Sequence, residues 1–202
     1  MRYVALLRGI NVGGNTIMKM EELRKSFEAL GFENVKSYIN SGNLAFDLSM
    51  QKPARSKGES VRSSRVSSPH VSKASAGQFE SQLETMIEKA IQKDFGKNIP
   101  VMVRGPKDFE RILAANPFEG EYGSHKEMHV LFLKEEMPKE KQTQLVEAAP
   151  EKERFAVKGR EIYCHLPMGV AESLLGKGFI EKKLKVAVTG RNWRTVEKLA
   201  EL

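Results

Sequence analysis

Arginine set beside small or amide-bearing loop residues is the chemistry of anion recognition, and three stretches of this 202-residue chain have that composition. In "RYVALLRGINVGGN" an apolar run ends in Arg8 and passes into a loop holding Asn11 and the pair Gly13-Gly14, with Lys19 close behind. The N–H groups of such a loop can form a nest for an anion, with Arg8 and Lys19 adding charge. It is neither a dinucleotide fingerprint, for want of G-x-G-x-x-G, nor a P-loop, for want of G-K-[ST]. The plainer alternative is a turn whose glycines supply positive φ angles. The second stretch, "YINSGNLAF", places Ser41, Gly42 and Asn43 between two strand-like runs, where Asn and Ser also close turns unaided. The third, "TGRNWRTVEKL", compresses Arg191, Asn192, the sole tryptophan Trp193 and Arg194 into four residues, a set suited to phosphate contact and planar stacking. Its plainer alternative is a helix capped by Thr189 or Asn192, buried through Trp193, Val196 and Leu199, with Arg191 in solvent. On the functional reading Arg8, Asn11, Ser41, Asn43 and Arg191 surround one concavity, and Arg8→Ala or Arg191→Ala weakens an anion without unfolding the chain.

No catalytic set accompanies them. Ser41 has no histidine placed by motif, and Ser173 in "GVAESLLG" lacks the G-x-S-x-G elbow. Cys164, beside Tyr163 in a strand-like run, reads as a buried structural thiol. The histidines (His70, His125, His129, His165) show no metal-ligand spacing, and no cofactor motif is present, so neither metal nor cofactor is expected.

The net charge of +7 would suggest nucleic acid if it were spread over the fold. Six of the basic residues, Lys52, Arg55, Lys57, Arg62, Arg65 and Lys73, lie between Ser49 and Gly77 against the single acid Glu59, so that segment carries +5 of the +7. It is serine-rich and aperiodic, the composition of a disordered basic insertion in a compact domain. A lone cysteine and the lack of a signal-like or membrane-spanning apolar run point to a cytoplasmic protein without a membrane partner.

Around the insertion the apolar periods switch between strand and helix. "RYVALLR", "VKSYI", "NLAFDL" and "IPVMVR" read as strands. "KMEELRKSFEALG" and "FESQLETMIEKAIQKDFG" are helices expected to bury Met20, Leu23, Phe27, Leu30, Leu83, Ile87 and Ile91. That order is a split β-α-β, ferredoxin-like unit over residues 1–105. Over 106–202 follow a helix ("PKDFERILAANPF"), a strand ("MHVLFLK"), a helix ("PKEKQTQLVEAA"), the hairpin "ERFAVKG"/"REIYCHL", a helical region ("GVAESLLGKGFIEKKL") and a terminal helix from Arg191. The expectation is α+β, two ferredoxin-like halves with antiparallel-containing sheets and no residue-level repeat between them.

"RGINVGG", "YINSGN", "FG…IPVMVR", "NPF", "MHVLFL" and "RNWRTVEKLAEL", in that order, resemble the bacterial domain-of-unknown-function family 1697. The resemblance implies a ferredoxin-like α+β fold and brings no established activity or catalytic residues. The chain departs from it in the Ser49–Gly77 insertion and in "VTGRN", where relatives look more like Thr-Thr before the arginine. Function therefore rests on the residues. The leading expectation is a protein that binds, or transforms, a phosphate- or carboxylate-bearing small molecule. The alternatives are a nucleic-acid binder using the basic insertion and an interaction module without a ligand.

Overall fold

The structure, a computed structural model, describes residues 1–12, 16–48 and 76–202. The first sheet consists of β1 (Arg2–Leu7), β2 (Phe32–Tyr38), β3 (Asn43–Leu48) and β4 (Val101–Arg104), with α1 (Met20–Ala29) and α2 (Ala76–Phe95) in the crossovers. α3 (Pro106–Ala114) leads into the second sheet: β5 (Met128–Leu133), β6 (Arg154–Lys158), β7 (Glu161–His165) and β8 (Val188–Asn192). There the intervening helices are α4 (Lys139–Glu147) and α5 (Phe179–Lys182), and α6 (Trp193–Ala200) closes the second half. The chain is α+β, with two four-stranded sheets of order β2-β3-β1-β4 and β6-β7-β5-β8. Every neighbouring pair is antiparallel. The expected insertion, 49–77, lies outside the described residues up to its last two positions, which open α2.

Strand alternation divides the apolar side chains among three cores. One face of the first sheet (Leu7, Leu44, Phe46, Val101, Val103) packs on α1 and α2 through Leu23, Phe27, Leu83, Ile87 and Ile91, while Met20 and Leu30 are partly buried at the edge of that core. The outer face of the second sheet packs on α4 and α5 through Leu145 and Ile180. Between the sheets, Val4, Leu6, Ala45 and Met102 of the first meet Val130, Phe132 and Tyr163 of the second. Phe109 and Ile112 of α3 and Trp193, Val196 and Leu199 of α6 fill the same space. This middle core belongs to both halves, so neither can bury its own inner face alone.

Two readings of the second half need correction. "VTGRN" is the strand β8, not the approach to a helix, and of "GVAESLLGKGFIEKKL" only Phe179–Lys182 is α-helical. Glycine and arginine in a strand mislead propensity reasoning, but here both have positional causes. A Cβ on Gly190 would stand 2.9 Å from Leu131 Cδ2, so a larger residue there would require the Leu131 side chain to shift. Arg191 is turned inward to a buried site described below.

The free edge of β4 is occupied by a helix. Val101, Val103 and Gly105 direct their N–H groups to the carboxylates of Glu88, Glu84 and Glu80, at 2.8, 2.8 and 3.2 Å. Four helical residues rise about 6 Å, and two strand residues advance about 6.6 Å. An acid at every fourth position of α2 therefore matches every second N–H of β4. Burial raises the Glu84 carboxyl above its ordinary value, against the opposing pull of the Val103 N–H, Lys134, Arg104 and Arg160. A raised value in the fold means that this group's stabilisation is full below its unfolded value of 4.5 and is lost as pH rises through the folded one. Glu84→Gln keeps the acceptor and removes the titration. In urea unfolding series its stability relative to the wild type should increase from pH 5 to pH 8; a constant difference would sink this account.

Candidate functional site

Arg191 lies where β8 passes the ends of β1 and β3, and it is 7 % exposed. Its Nε donates to Asn43 Oδ1. Nη1 donates to Thr189 Oγ1 at 2.9 Å and the Gly190 carbonyl at 2.8 Å. Nη2 reaches the carbonyls of Leu7 (3.1 Å), Ser41 (3.0 Å) and Gly42 (3.3 Å). All five guanidinium donors thus have acceptors within the protein. Asn43 is itself fixed, its amide donating to the Tyr38 carbonyl and to Ser41 Oγ. Gly42 has φ +81°, and a Cβ there would stand 2.7 Å from Leu7 Cβ, so the turn must be glycine to reach the end of β1.

The remaining nominated residues disperse around this centre. Arg8 is partly exposed and pairs with Glu181 of α5 at 3.5 Å. Asn11 ties its loop to the β2–β3 turn: its amide donates to the carbonyls of Met18 (2.9 Å) and Asn40 (2.8 Å), and its oxygen accepts from the Met18 N–H. Lys19 is exposed beside Glu22. Gly13 and Gly14 lie outside the described residues. Asn192 caps α6, accepting from the Thr195 N–H at 2.9 Å. Trp193 is 4 % exposed in the middle core and has no open face for stacking. The three stretches do meet, through Arg191, Asn43 and the Leu7 carbonyl, but around a filled joint instead of an open concavity. Arg191 is neither a solvated side chain nor a free fork donor.

A second joint, which sequence reasoning passed over, repeats this one. Arg104, the last residue of β4, donates from Nε to Glu161 Oε1 at 2.8 Å and from Nη1 to the carbonyl of its preceding residue, as Arg191 does. Its Nη2 reaches the carbonyls of Leu133 (2.7 Å), which ends β5 as Leu7 ends β1, and Arg160 (3.1 Å), which precedes β7 as Gly42 precedes β3. The next residues correspond too: Arg8 pairs with Glu181 of α5, and Lys134 with Glu88 of α2. Each half therefore gives one arginine and receives one, the reciprocity of a two-fold interface. "VMVRGPKDF" and "VTGRNWRTV" take equivalent places in the two halves, a strand ending at an arginine and running into a capped helix, and share Val101/Val188 and Arg104/Arg191. Short strands differing at half their positions hid the correspondence.

The joints differ in charge. Glu161 neutralises Arg104 and also takes Arg111 at 2.9 Å, whereas its counterpart at Arg191 is the neutral Asn43. Among the described residues no carboxylate pairs with Arg191, and burial lowers the guanidinium to about 10.

The family described as "Protein of unknown function (DUF1697)" matches residues 1–63 and 71–163, spanning both sheets up to β7. The chain belongs to this family. β8 and α6, with Arg191, lie beyond the matched residues. Among solved structures, this DUF1697 chain is similar to the conserved bacterial protein SP0830 from Streptococcus pneumoniae, at 25 % identity and a TM-score of 0.66 over 99 % of this chain and 97 % of that one. No curated protein matches it. Among the described residues no helix is long and apolar enough to cross a membrane, and no three or more His, Cys, Asp or Glu side chains are grouped to hold a metal.

Proposed function

We propose that the protein binds an anionic, phosphate- or carboxylate-bearing small molecule at the outer side of the Arg191 joint. The observation that carries this reading is the substitution of Asn43 for a carboxylate, which leaves a buried guanidinium uncompensated. A unit charge acts on an anion roughly 10 Å away with about 1.7 kcal/mol at an effective dielectric of about 20. Arg191 acts through its field, since its donors are taken, and direct contacts fall to the loop between Arg8 and Lys19. Asn43→Asp tests this by supplying the missing charge in place. It retains the acceptor for Nε and gives up the amide's bonds to Tyr38 and Ser41, so urea unfolding accompanies the titration. Affinity for pyrophosphate, measured by calorimetry, should fall about tenfold in the folded variant, one lost charge interaction. Unchanged affinity would return the joint to a structural role.

An interaction module is the second reading, favoured by the exposure of Val12, Ile17 and Ile39 beside the same joint. The nucleic-acid alternative depends on the six basic residues between Ser49 and Gly77, all of them outside the described residues, in a segment that joins the fold at the far end of β3 from Asn43. The strand orders and antiparallel pairing support reading each half as a split β-α-β, ferredoxin-like unit, divided at 105/106. A cytoplasmic location fits the single buried cysteine.

A further inference from the structure

A groove of about 500 Å³ opens beside the Arg191 joint, between the loop after β1, the start of α1 and the β2–β3 turn. That volume is in the range of small-molecule sites, roughly 300–1,000 Å³. Its lining includes Asn11, Ile17, Lys19, Met20, Glu21 and Asn40. Asn11 spends its amide within the protein and so shapes the groove without offering it a hydrogen bond. Glu21 is paired with Lys25 at 2.8 Å. Lys19 is the cation in the lining; its side chain is 79 % exposed, and its contact with Glu22 at 3.3 Å is a surface pair that exchanges readily.

The apolar residues here are unusually open to water. Ile17 is 78 % exposed, and Val12 and Ile39, next in sequence to the lining residues Asn11 and Asn40, are 60 % and 52 % exposed. Ile39 has φ +49°, a left-handed conformation that a branched side chain adopts only under constraint. Asn11 and Thr16 also have positive φ, at 53° and 49°. A purely inorganic anion would use the charge of this place and none of its apolar surface.

We infer that the ligand is an amphipathic anion: a small organic carboxylate, sulfonate or phosphate whose head lies at Lys19 and whose apolar body covers Ile17 and Met20 of the groove. The inference rests on the anion-binding reading of the joint and adds the ligand's class. The test is fluorescence titration of the full chain with 1-anilinonaphthalene-8-sulfonate, beside the neutral N-phenyl-1-naphthylamine, with pyrophosphate by calorimetry. The expected result is saturable one-to-one binding of the sulfonate, weakened about tenfold by Lys19→Glu and by Ile17→Asp, the scale of one lost contact. Both side chains are exposed, so circular dichroism should show the variants folded. Equal binding of the neutral probe, or indifference to Lys19→Glu, would overturn the anionic head. Pyrophosphate binding without sulfonate binding would overturn the apolar body and leave the anion reading standing. If no anion binds, both fall together.

Discussion

Arg104→Ala should lower the stability of the fold by about 3–5 kcal/mol, the cost of breaking a buried ion pair from one side. Arg104 and Glu161 are both fully buried, and the substitution leaves the Glu161 carboxylate with Arg111 alone, while the carbonyls of Leu133 and Arg160 lose a donor. Most of the loss comes from the buried acid, which the half-exposed Arg111 compensates only in part, and not from the attraction removed. A double variant, Arg104→Met with Glu161→Leu, should therefore recover much of it, because the desolvation of both charges disappears together. Urea unfolding followed by circular dichroism measures both. A single variant within 1 kcal/mol of the wild type, or a double variant worse than the single, would refute this account.

The other joint should respond differently. Arg191→Ala is expected to cost about 2–4 kcal/mol: the acceptors on Leu7, Ser41, Gly42 and Asn43 lose their donor and a cavity opens, but a buried uncompensated charge is also relieved. This reverses the expectation that the residue could be removed without harm to the fold. Arg191→Lys should recover little, since one ammonium cannot serve acceptors spread over three segments. Arg8→Ala provides the contrast: Arg8 is partly exposed and its pair with Glu181 spans 3.5 Å, so the fold should barely notice its loss. If Arg191→Ala unfolds at the wild-type urea concentration, the clamp is not holding the halves.

The helices with a continuous apolar stripe were legible because one side chain in three or four decides their period. Leu23, Phe27, Leu83, Ile87 and Ile91 are fully buried as that pattern requires. β8 was not legible, because its glycine and arginine answer to Leu131 and to the end of β1, partners that lie far away in sequence. Arg191 could be read from its neighbours as a solvated or ligand-facing side chain, and each reading took for granted that it was free. Hydrogen bonds spanning 148 to 184 residues settle the matter, and local sequence carries no trace of them. The family likeness carried the fold for the same reason that it could not carry the site: common architecture constrains packing, while chemistry rests on single side chains such as Asn43 and Glu161.

α2 behaves towards β4 as a neighbouring strand would. Its glutamates answer the outward N–H groups of Val101 and Val103, which an incoming chain would otherwise capture, and share that of Gly105 with Asp108, so the first sheet is closed to another molecule's strand along that side. Sheets elsewhere blunt such an edge with proline or a bulge; here the protection resides on a helix and in its charges. Replacing Glu80, Glu84 and Glu88 by alanine would leave a helix of good intrinsic propensity and yet strip the N–H groups of Val101 and Val103 of their acceptors, opening that edge to strand pairing. What guards this edge of the first sheet thus belongs to no strand.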